Sequence, residues 1–228
     1  DHGLVLGDLG PLFDDPAHDL TLGSSLADVR QPELEDRLVR YAAIDSQSDA
    51  DSPSSPSTEI QFGMLRLLEQ ELGEIGAKDV QVTGYGAVLA TIPGTTEGPT
   101  VGLLAHVDTA PQFNATGVKP RVVKGYNGGE ITYPDDPALV LSPEEYPYLA
   151  EKLGHDIVTA SGTTLLGADD KAGVAAIVEA VLTIEASGAA HGPVDLVFTV
   201  GEDVGHIGSK AFDPASIAAH VGFVLDAG

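Results

Sequence analysis

Apolar runs and helical periods alternate along most of this chain. Leu34, Leu38, Val39 and Ala42 recur at helical spacing from Pro32 onward. Phe62, Leu65, Leu68 and Leu72 repeat that spacing over residues 60–72, behind a Ser57-Thr58-Glu59 cap. A polar Ser/Pro loop at 49–57 separates the two helices. Residues 79–82 and 87–92 read as strands joined at 84–86. Residues 100–105 and 194–200 are nearly continuous apolar runs of the kind made by buried strands, and 221–225 reads as a further strand. A short strand is expected at 156–159. Further helices are expected at 142–153, from 174 to about 186, and briefly around 214–219. Strands alternating with helices predict an α/β fold, a three-layer sandwich with a mixed, largely parallel central sheet. Residues 1–28 show no sustained period and read as a poorly ordered extension. Residues 110–162 hold a long irregular stretch of the kind that is functional or flexible.

The pattern also places chemistry at the ends of these runs. Residues 164–166 lead through Gly167 and Ala168 into Asp169, Asp170 and Lys171, where a helix begins. There Asp169 either caps the helix or meets a ligand at its positive end. The run at 100–105 delivers His106 and Asp108 at i and i+2, on one side of an extended chain. The run at 194–200 ends at Glu202 and Asp203, and that at 221–225 ends at Asp226. Open α/β sheets hold ligands at the C-terminal ends of their strands. An imidazole and several carboxylates gathered there look like a metal site, with Asp108 either a ligand or the partner that orients His106.

Composition narrows the alternatives. The chain has 228 residues, is 43% hydrophobic and contains no cysteine. It can bury a sizeable core, and any metal must be held by His and carboxylate. No apolar run approaches a membrane span and nothing at the start reads as a signal peptide, so a cytoplasmic protein is expected. With 11 basic against 35 acidic residues the formal net charge is −24. Such a field repels nucleic acid and anionic membranes. Because the acids are scattered, they read as the solvated surface of a salt-tolerant protein; capture of cationic substrates is the alternative.

Four ordered motifs carry a resemblance. They are His106-Val107-Asp108-Thr109-Ala110-Pro111, the 165–173 segment around Asp169, Phe198-Thr199-Val200-Gly201-Glu202-Asp203, and Val224-Leu225-Asp226-Ala227-Gly228. Together they resemble the co-catalytic di-zinc exopeptidase family, in particular its tripeptide aminopeptidase branch, the peptidase T type. The likeness runs from about residue 28 to residue 228. It implies a zinc-dependent aminopeptidase that releases the N-terminal residue of tripeptides. His106 and Asp226 are then ligands of the first zinc, Asp169 bridges both ions, and Asp203 serves the second. Glu202 is the general base, and Asp108 orients His106. Two zinc ions share a carboxylate and acidify a water between them.

The chain departs from the family pattern in two places. Glu202-Asp203 stands where the family carries Glu-Glu, so the second carboxylate is one methylene shorter. The resemblance also implies a lid or dimerisation domain, through which the full-length form is a homodimer. After it comes a catalytic segment with a histidine for the second zinc; both are expected to lie outside these 228 residues. Among the remaining histidines, His206 is the nearest substitute. The same scaffold also serves carboxypeptidases, dipeptidases and N-acyl-amino-acid deacylases. A catalytically inactive metal-binding fragment is the reading from another class.

Overall fold

The computed structural model describes residues 4–6 and 24–226. Most of the expected 1–28 extension lies outside the described residues, as do Ala227 and Gly228 of the last motif. Of that extension, Leu4–Leu6 (β1) and the first residues of α1 (Ser24–Ala42) are described. Helix α1 buries Leu38, Tyr41 and Ala42. Helix α2 (Gln61–Glu74) buries Gln61, Met64, Leu65, Leu68 and Leu72, one stripe at helical spacing.

Strands β2 (Lys78–Val82), β3 (Val88–Ile92) and β4 (Val101–His106) follow. The irregular stretch holds β5 (Arg121–Val123), β6 (Ile131–Thr132), β7 (Val140–Leu141) and β8 (Asp156–Thr159), with a small core of Tyr126, Ile131, Leu141, Leu149 and Ile157. The helix expected over 142–153 is instead a turn at 143–145 and a 3-10 helix at Pro147–Lys152. Proline explains the difference. Pro147 lacks the N–H that the interior of a continuous 142–153 helix needs, and it stands instead at the start of the short helix, where none is required. The chain closes with α3 (Ala168–Ser187), β9 (Val194–Thr199), α4 (Ile207–Ala211) and β10 (Val221–Val224). The helix expected near 214–219 is one 3-10 turn, Pro214–Ser216.

The central sheet has the order β10-β4-β9-β3-β2. It is mixed: β10–β4 and β4–β9 are parallel, whereas β9–β3 and β3–β2 are antiparallel. Period-2 alternation sorts its residues between two faces. Val88, Ala90, Ile92, Leu196 and Phe198 pack with α1, α2 and α3 in the main core, whereas Ala87, Leu89 and Val197 meet Phe212 and Ile217 on the opposite face. Buried polar groups tie the three helices together. Arg37 of α1 donates to Glu179 of α3 at 2.6 Å and to Glu71 of α2, and Tyr41 Oη donates to Glu71 at 2.5 Å. Among the described residues no helix is long and apolar enough to cross a membrane.

The parallel register is what builds the site. His106 pairs with Thr199, and Val224 with Leu104, so β4, β9 and β10 end at one edge of the sheet. The residues that follow each strand therefore converge. Helix α3 packs on β4 and α1 and starts at the same edge.

Candidate metal centre

His106 is the last residue of β4 and only 3% exposed. Its Nδ1 lies 3.2 Å from Asp108 Oδ1, and Asp108 is fully buried. Asp108 has two further partners. The Ser48 hydroxyl donates to its Oδ2 at 2.7 Å, and the backbone N–H of Glu202 donates to its Oδ1 at 3.1 Å. The segment 46–48 lies alongside 107–109 through a parallel bridge between Gln47 and Thr109 and a bond from Ser46 Oγ to the Val107 carbonyl.

The other ring nitrogen faces an acidic opening. Nε2 of His106 is 3.0 Å from Asp169 Oδ1 and 4.0 Å from both Glu202 Oε2 and Asp226 Oδ1. Asp169 precedes the regular turns of α3. Gly167 holds φ +73°, and Asp169 is extended at φ −79°, ψ 110°, so its side chain leaves the turn rather than the helix wall. Two groups of donor atoms lie within 4.8 Å of one another: His106 with Asp169 and Asp226, and His106 with Glu202 and Asp203. All six residues singled out from the sequence thus meet at one place. His206 does not join either group. It is 60% exposed and stands behind Glu202, with Nδ1 3.3 Å from Oε1.

Two residues of the motif around Asp169 matter beyond their place in the pattern. Asp170 is buried and accepts from the backbone N–H of His106 at 3.2 Å and of Gly173 at 3.1 Å, joining the end of β4 to the start of α3. A Cβ at Gly173 would come within 2.4 Å of Asp170 Oδ1 and 2.6 Å of the Leu225 carbonyl, so this position requires glycine. Lys171, also buried, donates from Nζ to the Ile44 carbonyl at 2.6 Å and so anchors the segment that carries Ser46 and Ser48. The sequence signal for both was their contiguity with Asp169 in a short, charged, otherwise small-residue motif.

The electrostatics are those of a site short of positive charge. Burial opposes protonation of His106, but the hydrogen bond and charge of Asp108, with Asp170 and Asp203, outweigh it and push its pKa up to about 10. Burial, then the charge of Asp108, raises Asp203 to about 7. Burial likewise raises Asp170 to about 8, against the opposing pull of His106. Burial would raise Asp108 too, but His106, Ser48 and the Glu202 N–H hold it below the usual carboxylate range. Asp203 Oδ2 is buried without a hydrogen-bond partner, which is costly unless something cationic meets it. One imidazole and several carboxylates, without thiolate, suit a divalent ion of the zinc type.

The sequence profile of peptidase family M28 matches residues 87–226. Peptidase T of Geobacillus thermodenitrificans is 43% identical over 199 residues, which is 86% of this chain and 48% of that protein. Two crystal structures, an aminopeptidase PepT from Bacillus cereus and a tripeptidase from Staphylococcus aureus, each superpose with a TM-score of 0.62 at 25% identity. Each covers 86% of this chain and 43% of its own. The chain thus spans about half the length of the curated relatives it matches. It belongs to peptidase family M28.

Proposed function

We propose that this M28 chain carries the metal- and base-bearing part of a zinc-dependent aminopeptidase that releases the N-terminal residue of tripeptides. The observation that carries the reading is the facing of His106 Nε2 by Asp169, Glu202 and Asp226 at one strand edge, with Asp108 buried behind. The names of the relatives, peptidase T, aminopeptidase and tripeptidase, support the substrate class. A cytoplasmic setting and homodimerisation through a further domain are part of the same proposal.

His106, Asp169 and Asp226 would hold one ion, and Asp203, with Asp169 shared, the second. When bound, the metal supplies Lewis acidity toward the peptide carbonyl and acidifies water near neutral pH. The chain's own residues do the rest. Asp108 keeps the proton on His106 Nδ1, leaving the Nε2 lone pair toward the opening. Glu202, one-third exposed at the mouth, takes the proton of the attacking water and delivers it to the leaving amine. Asp108 fixes the Glu202 backbone through the 3.1 Å bond, so the base and the imidazole share one support.

The test is hydrolysis by the zinc-loaded chain, alone and with the uncovered part of a relative added in trans. Substrates are a tripeptide, its N-acetylated form and an N-acyl amino acid. Only the free tripeptide should release its N-terminal residue. Glu202→Gln should retain zinc yet lose roughly 10²–10⁴-fold in rate. Preferred cleavage of the acylated substrates would move the chain to the deacylases. Bound zinc without hydrolysis in either arm would leave a metal-binding domain.

A further inference from the structure

We infer that Ser48 and Gln61 form a positioning relay that fixes the direction of the hydrogen bonds behind His106 and so strengthens its hold on metal. The inference rests on the reading of His106 as a zinc ligand. Ser48 is 4% exposed and Gln61 fully buried, and neither belongs to the motifs at the strand ends. Gln61 Nε2 lies 3.1 Å from Ser48 Oγ, 3.1 Å from Ser57 Oγ and 3.4 Å from the Gln47 carbonyl. A carbonyl only accepts, so the amide nitrogen, not the oxygen, belongs on this side of Gln61. An amide nitrogen only donates, so Ser48 Oγ accepts from Gln61. The single Ser48 proton is then directed to Asp108 Oδ2, 2.7 Å away.

The direction propagates. Asp108 accepts from Ser48 on one oxygen and from the Glu202 N–H on the other, which it shares with His106 Nδ1. With its other contacts donated to it, Asp108 presents an acceptor to the imidazole. Nδ1 must then keep its proton, and when the imidazole gives up its other proton to a metal the lone pair falls on Nε2, toward Asp169, Glu202 and Asp226. Segment 46–48 is held in place for this task. Lys171 Nζ grips Ile44, Ser48 N–H bonds the Thr109 carbonyl at 2.9 Å, and the Gln47 side chain bonds the Ala110 carbonyl at 2.8 Å. Asp108 is thus oriented by Ser48, 60 positions away in sequence.

Gln61→Glu tests the direction with almost no change of shape. A carboxylate at 61 accepts the Ser48 proton and draws it away from Asp108, reversing the relay. Zinc affinity, measured by competition with a chelating dye, should fall about tenfold, the low end for losing a partner behind a metal ligand. Ser48→Ala should fall as far, and Ser48→Thr, which keeps the hydroxyl, should recover most of the loss. Gln61→Met, which removes the amide without reversing anything, should lose clearly less than Gln61→Glu. In the zinc-loaded protein the His106 Nδ1–H resonance should be sharp in the wild type and Ser48→Thr, and shifted or lost in Gln61→Glu. If Ser48→Ala fails to fold, the Gln61→Glu and Gln61→Met pair decides alone. Wild-type zinc binding with equal affinity in Gln61→Glu, Gln61→Met and the parent overturns the relay and leaves the metal reading standing. A folded wild type that binds no zinc overturns both.

Discussion

The two sides of His106 are built on different principles. Behind the ring, Asp108 is fully buried and receives hydrogen bonds from Ser48 and Glu202. In front, the side chains of Asp169, Glu202 and Asp226 are 47%, 33% and 32% exposed, and all carry the same charge. The back is ordered by folding, because the Asp108 carboxylate is met by donors held in a packed core. The front gathers like charges that the fold brings together without cancelling. The difference teaches where stability and function part: the back stabilises the protein with or without a ligand, whereas the front gains from a cation.

Opposite effects on the metal-free chain would sharpen that division most. Asp108→Asn should destabilise by about 1–3 kcal/mol, since buried donors from Ser48, His106 and Glu202 lose a carboxylate acceptor. Asp203→Asn should instead leave the melting temperature unchanged or raise it, by relieving an unpartnered buried carboxylate oxygen. The same Asp203→Asn should release the more weakly held metal. Thermal melts with and without chelator would show it, and a stabilising Asp108→Asn would break the comparison.

A smaller effect follows from titration. In the metal-free fold Asp203 near 7, Asp170 near 8 and His106 near 10 all lie above their unfolded values of about 3.8, 3.8 and 6.5. Each group binds its proton more tightly when folded. Its contribution is complete below the unfolded pKa and is lost as pH rises through the folded one. The metal-free melting temperature should therefore fall as pH rises from about 6 to about 10. Zinc needs deprotonated donors, so its stabilising effect should grow over the same range. A rising metal-free melting temperature would contradict this reading of the front.

Much of the front was legible in the sequence, since His106, Asp169, Glu202, Asp203 and Asp226 each terminate an apolar run or open a helix. Strand direction was not. The apolar run of β9 pairs parallel with β4 on one side and antiparallel with β3 on the other, so the run alone cannot tell the directions apart. The back was legible only in Asp108. Ser48 and Gln61 look like ordinary polar residues of a loop and a helix start, and their role appears only when β4 comes to rest beside them. The 142–153 helix failed because Pro147 falls inside it, where a continuous helix needs a backbone N–H.

The weakest expected effect concerns the whole surface. A formal charge of −24 repels itself most where the Debye length is long, about 30 Å at 0.01 M salt against about 3 Å at 1 M. The melting temperature should climb with salt. Because exposed charges are screened more than buried ones, Asp108→Asn should keep its deficit at every salt concentration. A flat curve would remove the salt-tolerant reading of the charge.

The central claim is that the front of His106 holds zinc, and equilibrium dialysis of the folded chain near neutral pH tests it most directly. The account predicts one zinc bound firmly and a second weakly, with the firm site lost in His106→Ala by at least about 100-fold in affinity. A demonstrably folded chain that binds no zinc, or binds it equally well after His106→Ala, would contradict it.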